Sequence, residues 1–450
     1  RDMRSKAIRL AATVGAVGLA LTACGSTGGS SSSPTTAKSA SSLSAADLSE
    51  MASYTHSKLG AASPSATPFV IGYVNQQGGA TSFPEYTTDV EALVKIINSK
   101  LDGVGGHPIK LDQCYVVSSD SEGQSCGQQF AADHSLRAVL EFPLINGGAA
   151  FHQVMDATKT PIFGPIAAST NDASGPYSFF DTAAALTTTP IIVKYVSQVL
   201  KAKSVAVVGI QGNALSQLTT AATVQAFNAV KIPAKLALIS SASSDAIAPL
   251  VAAGAQKAGA IVSLVADATQ CDTVATTLKS LSLGPKPVVT LDICADPAVK
   301  SALGDYPKWT YLSGWPSLNV KPIDTREASE ISVVRDFFHS IGSPTIDFPY
   351  VEPSTQGILV ALREINSGGG TSATSASIVK AAKGDKGPMF LGPDSVAWDK
   401  IPGLTAVPSL SQRIFSYTGS GVWKDDVNGW YTAPAAPPGG KPPSGAPPAG

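Results

Sequence analysis

The residues best placed to hold a small molecule lie in polar or glycine-bearing turns that follow apolar runs. Gly147 and Gly148 follow the run Arg137 to Leu140, and Ala168, Ser169 and Thr170 follow Pro161 to Ile166. Each turn leads into a helix-like stretch. Free N–H groups at a helix start, with the Ser169 and Thr170 hydroxyls, can hold a carboxylate or another acceptor. The same residues serve equally as helix caps. Asp267 and Asp292 end two later apolar runs. A carboxylate there pairs with a ligand ammonium or simply caps a helix. Gln76 and Gln77 after the first run, Asn213 after a central one, and Gln270 add softer amide candidates.

Enzymatic chemistry finds little support beside these. Gly209-Ile-Gln-Gly-Asn-Ala comes near a dinucleotide fingerprint, but Gln211 stands where the second glycine lets the backbone approach a pyrophosphate. No acid ends the following strand at Ser240, and neither GxSxG nor HExxH occurs. The histidines (His56, His107, His134, His152, His339) are scattered and there is no CxxC, so no metal site or cofactor is expected.

The amino terminus carries a basic segment with Arg4, Lys6 and Arg9, then an apolar run from Leu10 to Leu21. That run is too short to span a bilayer, which takes roughly 20 helical residues. It ends in Leu21-Thr22-Ala23-Cys24-Gly25, similar to a bacterial lipobox, and predicts a leader over 1–23 with lipidation at Cys24. Acyl chains would anchor the protein to the membrane rather than span it. Four other cysteines remain, Cys114, Cys126, Cys271 and Cys294. In an exported protein they suggest two disulfides, with three pairings open; pairing sequence neighbours closes the shortest loops.

Without the leader's four basic and one acidic residues, 28 basic and 32 acidic residues remain of the 32 and 33. A net charge near −4 offers no footprint for nucleic acid. Hydrophobic residues make up 44% and charged ones 14%, enough apolar surface for a large core and too little charge for a long polyelectrolyte.

Two stretches restart the same pattern. Phe69 to Val74 is a strand, followed by a glycine loop and a helix over 83–99 with Tyr86, Val90, Leu93, Val94 and Ile97 on one face. Val205 to Val208 is a strand, followed by Gly209 to Asn213 and a helix over 215–230. Strands alternate with helices between and after them: strands over 109–117, 161–166, 235–239, 260–265, 287–291 and 309–312, helices over 246–258, 272–281, 328–341 and 354–366. A hairpin over 413–431 closes the series. The pattern predicts an α/β chain of two Rossmann-like lobes with parallel sheets covered on both faces. Small molecules bind such sheets at the strands' carboxyl ends.

The layout resembles the type I periplasmic binding proteins, in particular the branched-chain amino acid and amide receptors of ABC importers. The resemblance rests on Ile71-Gly72-Tyr73 and its loop, Ile96-Ile97-Asn98 ahead of Gly105-Gly106, and Asp120 after the second strand. It continues through Pro161-Ile-Phe-Gly-Pro, Val205-Ala-Val-Val, Ser244-Asp245-Ala-Ile-Ala-Pro-Leu and Gly259-Ala-Ile-Val. It implies three crossings between lobes: lobe one over 69–189 and 317–388, lobe two over 190–316 and 389–432. A flexible tether over 24–68, with a helix over 45–59 placing Leu48, Met51 and Leu59 on one face, and a Pro/Gly-rich disordered tail over 433–450 complete the expected organisation. The chain departs from the family at Asn75-Gln76-Gln77-Gly78-Gly79, at Gly147-Gly148 where serines usually grip a carboxylate, and at Asn213-Ala214 where a tyrosine is common. These departures count against a plain branched-chain amino acid. The resemblance implies a non-enzymatic, extracytoplasmic receptor, monomeric and lipid-anchored, that hands a small polar solute to an ABC permease and ATPase complex. A sensor of the same fold, or a secreted α/β hydrolase, is the alternative.

Overall fold

Ser44 and Asp47 cap one another: the Ser44 hydroxyl accepts from the Asp47 N–H at 3.1 Å, and the Asp47 carboxylate accepts from the Ser44 N–H at 2.9 Å. They start α1 (Ala45–Thr55), whose Met51 is fully buried. In this computed structural model the described residues are 43–79, 81–182, 184–211, 214–240, 246–265, 267–343 and 354–433. The helix expected over 45–59 is thus present as α1, while the flexible tether expected around it is wrong for 43–68. Beyond α1, the N–H groups of Ala62 and Ser63 donate to Asn98 and Gly106 at 2.8 Å, tying this stretch to the body. Cys24, the leader, residues 24–42, Asn213 and residues 434–450 lie outside the described residues.

Apolar runs of branched and aromatic residues form the first sheet. Its strands are β1 (Phe69–Gln76), β2 (Ile109–Val116), β3 (Ala138–Glu141), β4 (Ile162–Ile166) and β5 (Ser178–Thr182). They run in parallel in the order β2-β1-β3-β4-β5. Helices α2 (Pro84–Lys100), α3 (Asp120–Ala132), α4 (Gly148–Thr158) and α5 (Thr170–Ser174) connect them. Val90, Leu93, Val94 and Ile97 of α2 are buried on the face their spacing predicts.

From β5 the chain enters α6 (Ala184–Lys194), which runs through one π-helical turn over Tyr195–Val199. The second sheet follows: β6 (Val205–Gln211), α7 (Ala214–Ala229), β7 (Ala234–Ser240), α8 (Ile247–Ala252), β8 (Ala260–Ser263), α9 (Ala268–Ser280), β9 (Val288–Leu291), α10 (Pro297–Leu303) and β10 (Thr310–Ser313). Helix α8 is shorter than its sequence suggests, and α6 begins ahead of Pro190, which it contains.

Helices α11 (Thr325–Ile341), α12 (Ser354–Ser367) and α13 (Ser375–Gly384) then return to the first sheet, where their apolar residues share one core with Ile71, Tyr73 and Phe163. Helix α12 crosses β4 closely: a Cβ on Gly357 would stand 3.0 Å from the Pro165 ring. The return to the second sheet was expected at 389. Instead Met389, Phe390, Val396 and Trp398 are buried in the first core, and Ala406 and Val407 pack with Phe180. The second sheet resumes at β11 (Ser411–Gly419), antiparallel to β10, with β12 (Val422–Asp425) and β13 (Tyr431–Thr432) antiparallel to β11. The strand order is β12-β11-β10-β9-β8-β6-β7. The chain thus passes between the sheets three times.

Cys114–Cys126 ties β2 to α3, and Cys271–Cys294 ties α9 to the turn after β9. Of the three open pairings this is the near-neighbour one. Sequence separations of 12 and 23 correspond to about 3 kcal/mol each in the chain-entropy account. Among the described residues no helix is long and apolar enough to cross a membrane.

Candidate functional site

The carboxyl ends of the two sheets meet where the chain crosses between them. Thr182 ends β5 and Gly314 follows β10; a Cβ on Gly314 would stand 2.9 Å from Thr182 Cγ2. Glycine is needed at that approach. The turns that follow the strands of both sheets are therefore the candidate site.

On the first sheet several of these turns are closed by the chain's own side chains, while the start of α4 carries no side-chain cap. Gln76 is fully buried; its Oε1 accepts from the Asn146 N–H at 2.9 Å, joining the β1 loop to the turn before α4. Gln77 Oε1 accepts from the Thr87 hydroxyl at 2.8 Å. Gly147 has φ +73°, and a Cβ there would stand 2.7 Å from the Ser119 carbonyl. It is glycine because α4 starts hard against the β2–α3 turn. Gly148 is buried beside it, its would-be Cβ 3.5 Å from Asp172 Oδ1.

The turn after β4 is organised by Asp172. Its Oδ2 accepts from the N–H groups of Ala168 and Ser169, both at 2.8 Å, and its Oδ1 from the Ser169 hydroxyl. Ser169 in turn accepts from the Asp172 N–H at 3.1 Å. This is a capping box for α5. Thr170 is exposed. The turn after β2 repeats the device. Glu122 Oε2 accepts from the N–H groups of Val117, Ser118 and Ser119 at 3.1, 2.8 and 2.9 Å. These donors hold the Glu122 carboxyl below its ordinary range.

Behind Asp172 lies a charged cluster. His152 Nε2 stands 2.8 Å from Glu141 Oε2 and 3.5 Å from Asp172 Oδ1, and all three residues are buried. One ligand-type atom from each lies within 4.8 Å of the others. The 2.8 Å contact makes this a direct ion pair rather than two ligands about a common ion. Burial lowers the pKa of His152, but the Glu141 and Asp172 carboxylates more than offset this and raise it to about 9.

On the second sheet the two predicted aspartates separate. Asp267 is exposed and caps α9, its Oδ1 accepting from the Gln270 N–H at 2.9 Å; Gln270 itself is buried. Asp292 begins the turn after β9. Burial raises its pKa to about 6 against the opposing bond from Ser313, and its Oδ2 is shut from solvent without a hydrogen-bond partner. The Cys271–Cys294 bridge fixes the turn that carries it. Trp315 is buried in the first core.

Gln76, Gly147, Gly148, Ala168 and Ser169 are thus joined through Asn146 and Asp172, while Asp267, Gln270 and Asp292 lie on the second sheet. The spacing argument missed Asp172, Glu122, Glu141, His152 and Ser313. Ser119-x-x-Glu122 and Ser169-x-x-Asp172 are legible capping boxes that would have found the first two.

No family model matches the chain, and no curated protein matches it. Solved structures do. The branched-chain amino acid transporter substrate-binding protein LivJ from Streptococcus pneumoniae, in complex with isoleucine, aligns over 80% of this chain and 98% of its own at 14% identity and a TM-score of 0.62. The fold is that of the type I periplasmic binding proteins. A fatty acid ABC transporter substrate-binding protein from Thermomonospora curvata aligns over 84% and 98% at 13% identity and a TM-score of 0.63. An ABC transporter solute-binding protein from R. palustris, in complex with benzoate, aligns over 80% and 95% at 14% identity and a TM-score of 0.62. At these identities the likeness concerns architecture.

Proposed function

We propose that this chain is an extracytoplasmic solute-binding lipoprotein of an ABC importer. It captures a small polar solute between the two sheets and delivers it unchanged to a permease and its ATPase. The reading is supported above all by the meeting of the sheets' carboxyl ends at Thr182 and Gly314, with three chain crossings beside it. Two rigid halves joined by a few crossing segments are built for hinge closure. A solute that binds the closed form better than the open one shifts the population toward closure. The three structural neighbours carry names of transporter receptors for different solutes, which fits one scaffold with interchangeable turns.

In this reading lobe one comprises 69–182 with α11 to α13, and lobe two comprises β6 to β10 with β11 to β13. The protein works as a lipid-anchored monomer on the bacterial cell membrane. Cys24→Ala is expected to move the protein from the membrane fraction to the soluble fraction on cell fractionation; unchanged membrane retention would refute the anchor. Closure has its own readout. A bound solute at 100 times its Kd is expected to stabilise the fold by about 2.7 kcal/mol and to reduce the radius of gyration in small-angle scattering. Binding with unaltered dimensions would count against a hinged receptor.

A further inference from the structure

Lysine gathers at one edge of the second sheet. The segments leading into β6 to β10 (200–204, 230–235, 253–259, 279–287 and 304–309) hold eight lysines and a single acid, Asp305. Those five strands start in register: Val205 pairs with both Ala234 and Ala260, Ile261 with Val288, and Thr310 with Val289. The lysines therefore share one edge, about 20 Å across at the usual strand spacing. All but Lys286 are exposed, and Lys286 Nζ donates to the Ala258 carbonyl at 2.6 Å. None of the eight is in an ion pair; among the described residues the lysine that makes one is Lys383, with Asp399. Asp305 is already engaged, accepting from the Tyr417 hydroxyl and the Tyr306 N–H.

Helix dipoles do not account for this edge. In an alternating α/β chain the helix carboxyl ends lie at the amino ends of the strands, where lysine is favoured. The matching segments of the first sheet (59–68, 100–108, 132–137, 158–161 and 174–177) have the same geometry. They hold only Lys100, Arg137 and Lys159, against Asp102 and Asp133. The second sheet's segments are also poor in acid for a long way around: none occurs between Thr182 and Ser244.

Apolar side chains are exposed at the same edge. Val199 and Val230, 44% and 50% exposed, come just before Lys201 and Lys231. The segments contain no arginine to fork onto a phosphodiester, and their aromatic residues, Tyr306 and Trp309, are buried rather than offered for a base to stack on. Point charges interleaved with aliphatic side chains suit a lipid surface instead, where ammonium groups meet anionic headgroups and apolar groups enter the interface.

We propose that this lysine edge is a docking surface for an anionic phospholipid leaflet. The inference goes beyond the receptor reading and depends on neither its solute nor its acyl anchor. The turns of the candidate site lie at the opposite ends of the same strands. A molecule resting on the lysine edge keeps those turns away from the lipid and open to solute.

The test is vesicle co-sedimentation with residues 25–450, which lack the expected leader and lipidated cysteine and retain the compact unit that begins at Ala40. Vesicles of phosphatidylcholine alone are compared with an equal mixture of phosphatidylcholine and phosphatidylglycerol. Binding to the mixture is expected to be at least tenfold tighter, and to be lost in about 1 M salt, where the screening length falls to about 3 Å. Lys201→Glu, Lys203→Glu, Lys231→Glu and Lys235→Glu together are expected to weaken it at least tenfold, with melting within a degree or two of the parent. The same reversal at four exposed lysines elsewhere, Lys95, Lys100, Lys110 and Lys321, is expected to cost threefold or less. Val199→Ser with Val230→Ser is expected to weaken binding about threefold, an effect that charge alone would not give. Equal binding to both vesicles, equal losses from the two lysine sets, or a valine pair without effect would overturn the inference. Capture of soluble polyphosphate without vesicle binding would also overturn it, in favour of an anionic polymer. Each of these results leaves the receptor reading standing, because solute binding is measured separately.

Discussion

Arg413→Ala is expected to destabilise the fold by about 3–5 kcal/mol at neutral pH, the usual result of removing one partner from a buried ion pair. Arg413 lies on β11 of the second sheet and is 1% exposed. Its Nη1 donates to Glu327 on α11, a helix packed in the first core, and its Nη2 donates to Asp425 Oδ2 at 2.8 Å. The guanidinium also lies over the Phe415 and Trp430 rings, 5.3 and 5.7 Å from their centroids. One buried cation therefore joins the helix of one half to the strand of the other. Without it Glu327 keeps a buried charge with no cation, whereas Asp425 retains the N–H groups of Val427, Asn428 and Gly429.

The pH dependence of that loss identifies its source. Burial already raises the Glu327 pKa above its ordinary 4.5, outweighing the attraction of Arg413. A carboxyl whose folded pKa exceeds its unfolded one is destabilising above the unfolded value and neutral below it. The variant's deficit should thus shrink as the pH falls from neutrality toward about 4.5 and be gone below it. Urea denaturation across that range measures it. A deficit that is flat with pH would assign the loss to packing against the two aromatic rings instead. Arg413→Met combined with Glu327→Leu should recover most of the stability, because apolar replacements of both partners remove the buried charge altogether.

The sequence made legible what depends on local pattern. Strand β1 and helix α2 were placed within two residues or so, because branched and aromatic runs and three- and four-residue spacing are local signals. The alternation of the two implied parallel sheets and hence which strand ends carry function. Two kinds of element escaped. Helix α3 buries little beyond Gly123, Cys126, Gly127 and Phe130, so its polar sequence has no apolar stripe to read. Strand β5 is Ser-Phe-Phe-Asp-Thr, all five residues buried, and its two buried polar ends break the alternation that marks a strand. Helix α1, by contrast, was legible in Leu48, Met51 and Leu59, though it ends at Thr55 rather than Leu59.

The candidate site divides along the same line. Asp267 and Asp292 look alike in sequence, each an acid after an apolar run. Only the packing around them makes one a helix cap and the other a carboxylate held by Ser313 with its Oδ2 shut from solvent. Likewise Gly147 and Gly148 read as a ligand turn, but their lack of side chains is required by the approach of α4 to Ser119 and Asp172. Glu141 and His152 come together from β3 and α4. No pairwise spacing in the sequence announces that meeting.

His152→Leu should produce a loss as large as that at Arg413, with a different pH signature. The imidazole is sealed between Glu141 and Asp172, and replacing it leaves two buried carboxylates facing each other without a cation, again about 3–5 kcal/mol near neutrality. In the parent protein the His152 pKa is raised from 6.5 to about 9. A base whose folded pKa is raised adds stability that is complete below its unfolded pKa and disappears as the pH rises through the folded one. The parent should therefore lose stability between about pH 6.5 and 9. The leucine variant loses the imidazole's share of that decline and keeps what Glu141 contributes, whose carboxyl burial raises from 4.5 to about 7. Parallel curves across that window would mean that the histidine is neutral in the fold and holds its neighbours by hydrogen bonding alone. The same variant reaches the turn after β4, because the carboxylate that organises Ala168 and Ser169 is the one His152 neutralises. Amide exchange at those two N–H groups should accelerate in the variant more than at the Val117 to Ser119 N–H groups, which answer to Glu122 and have no link to the imidazole.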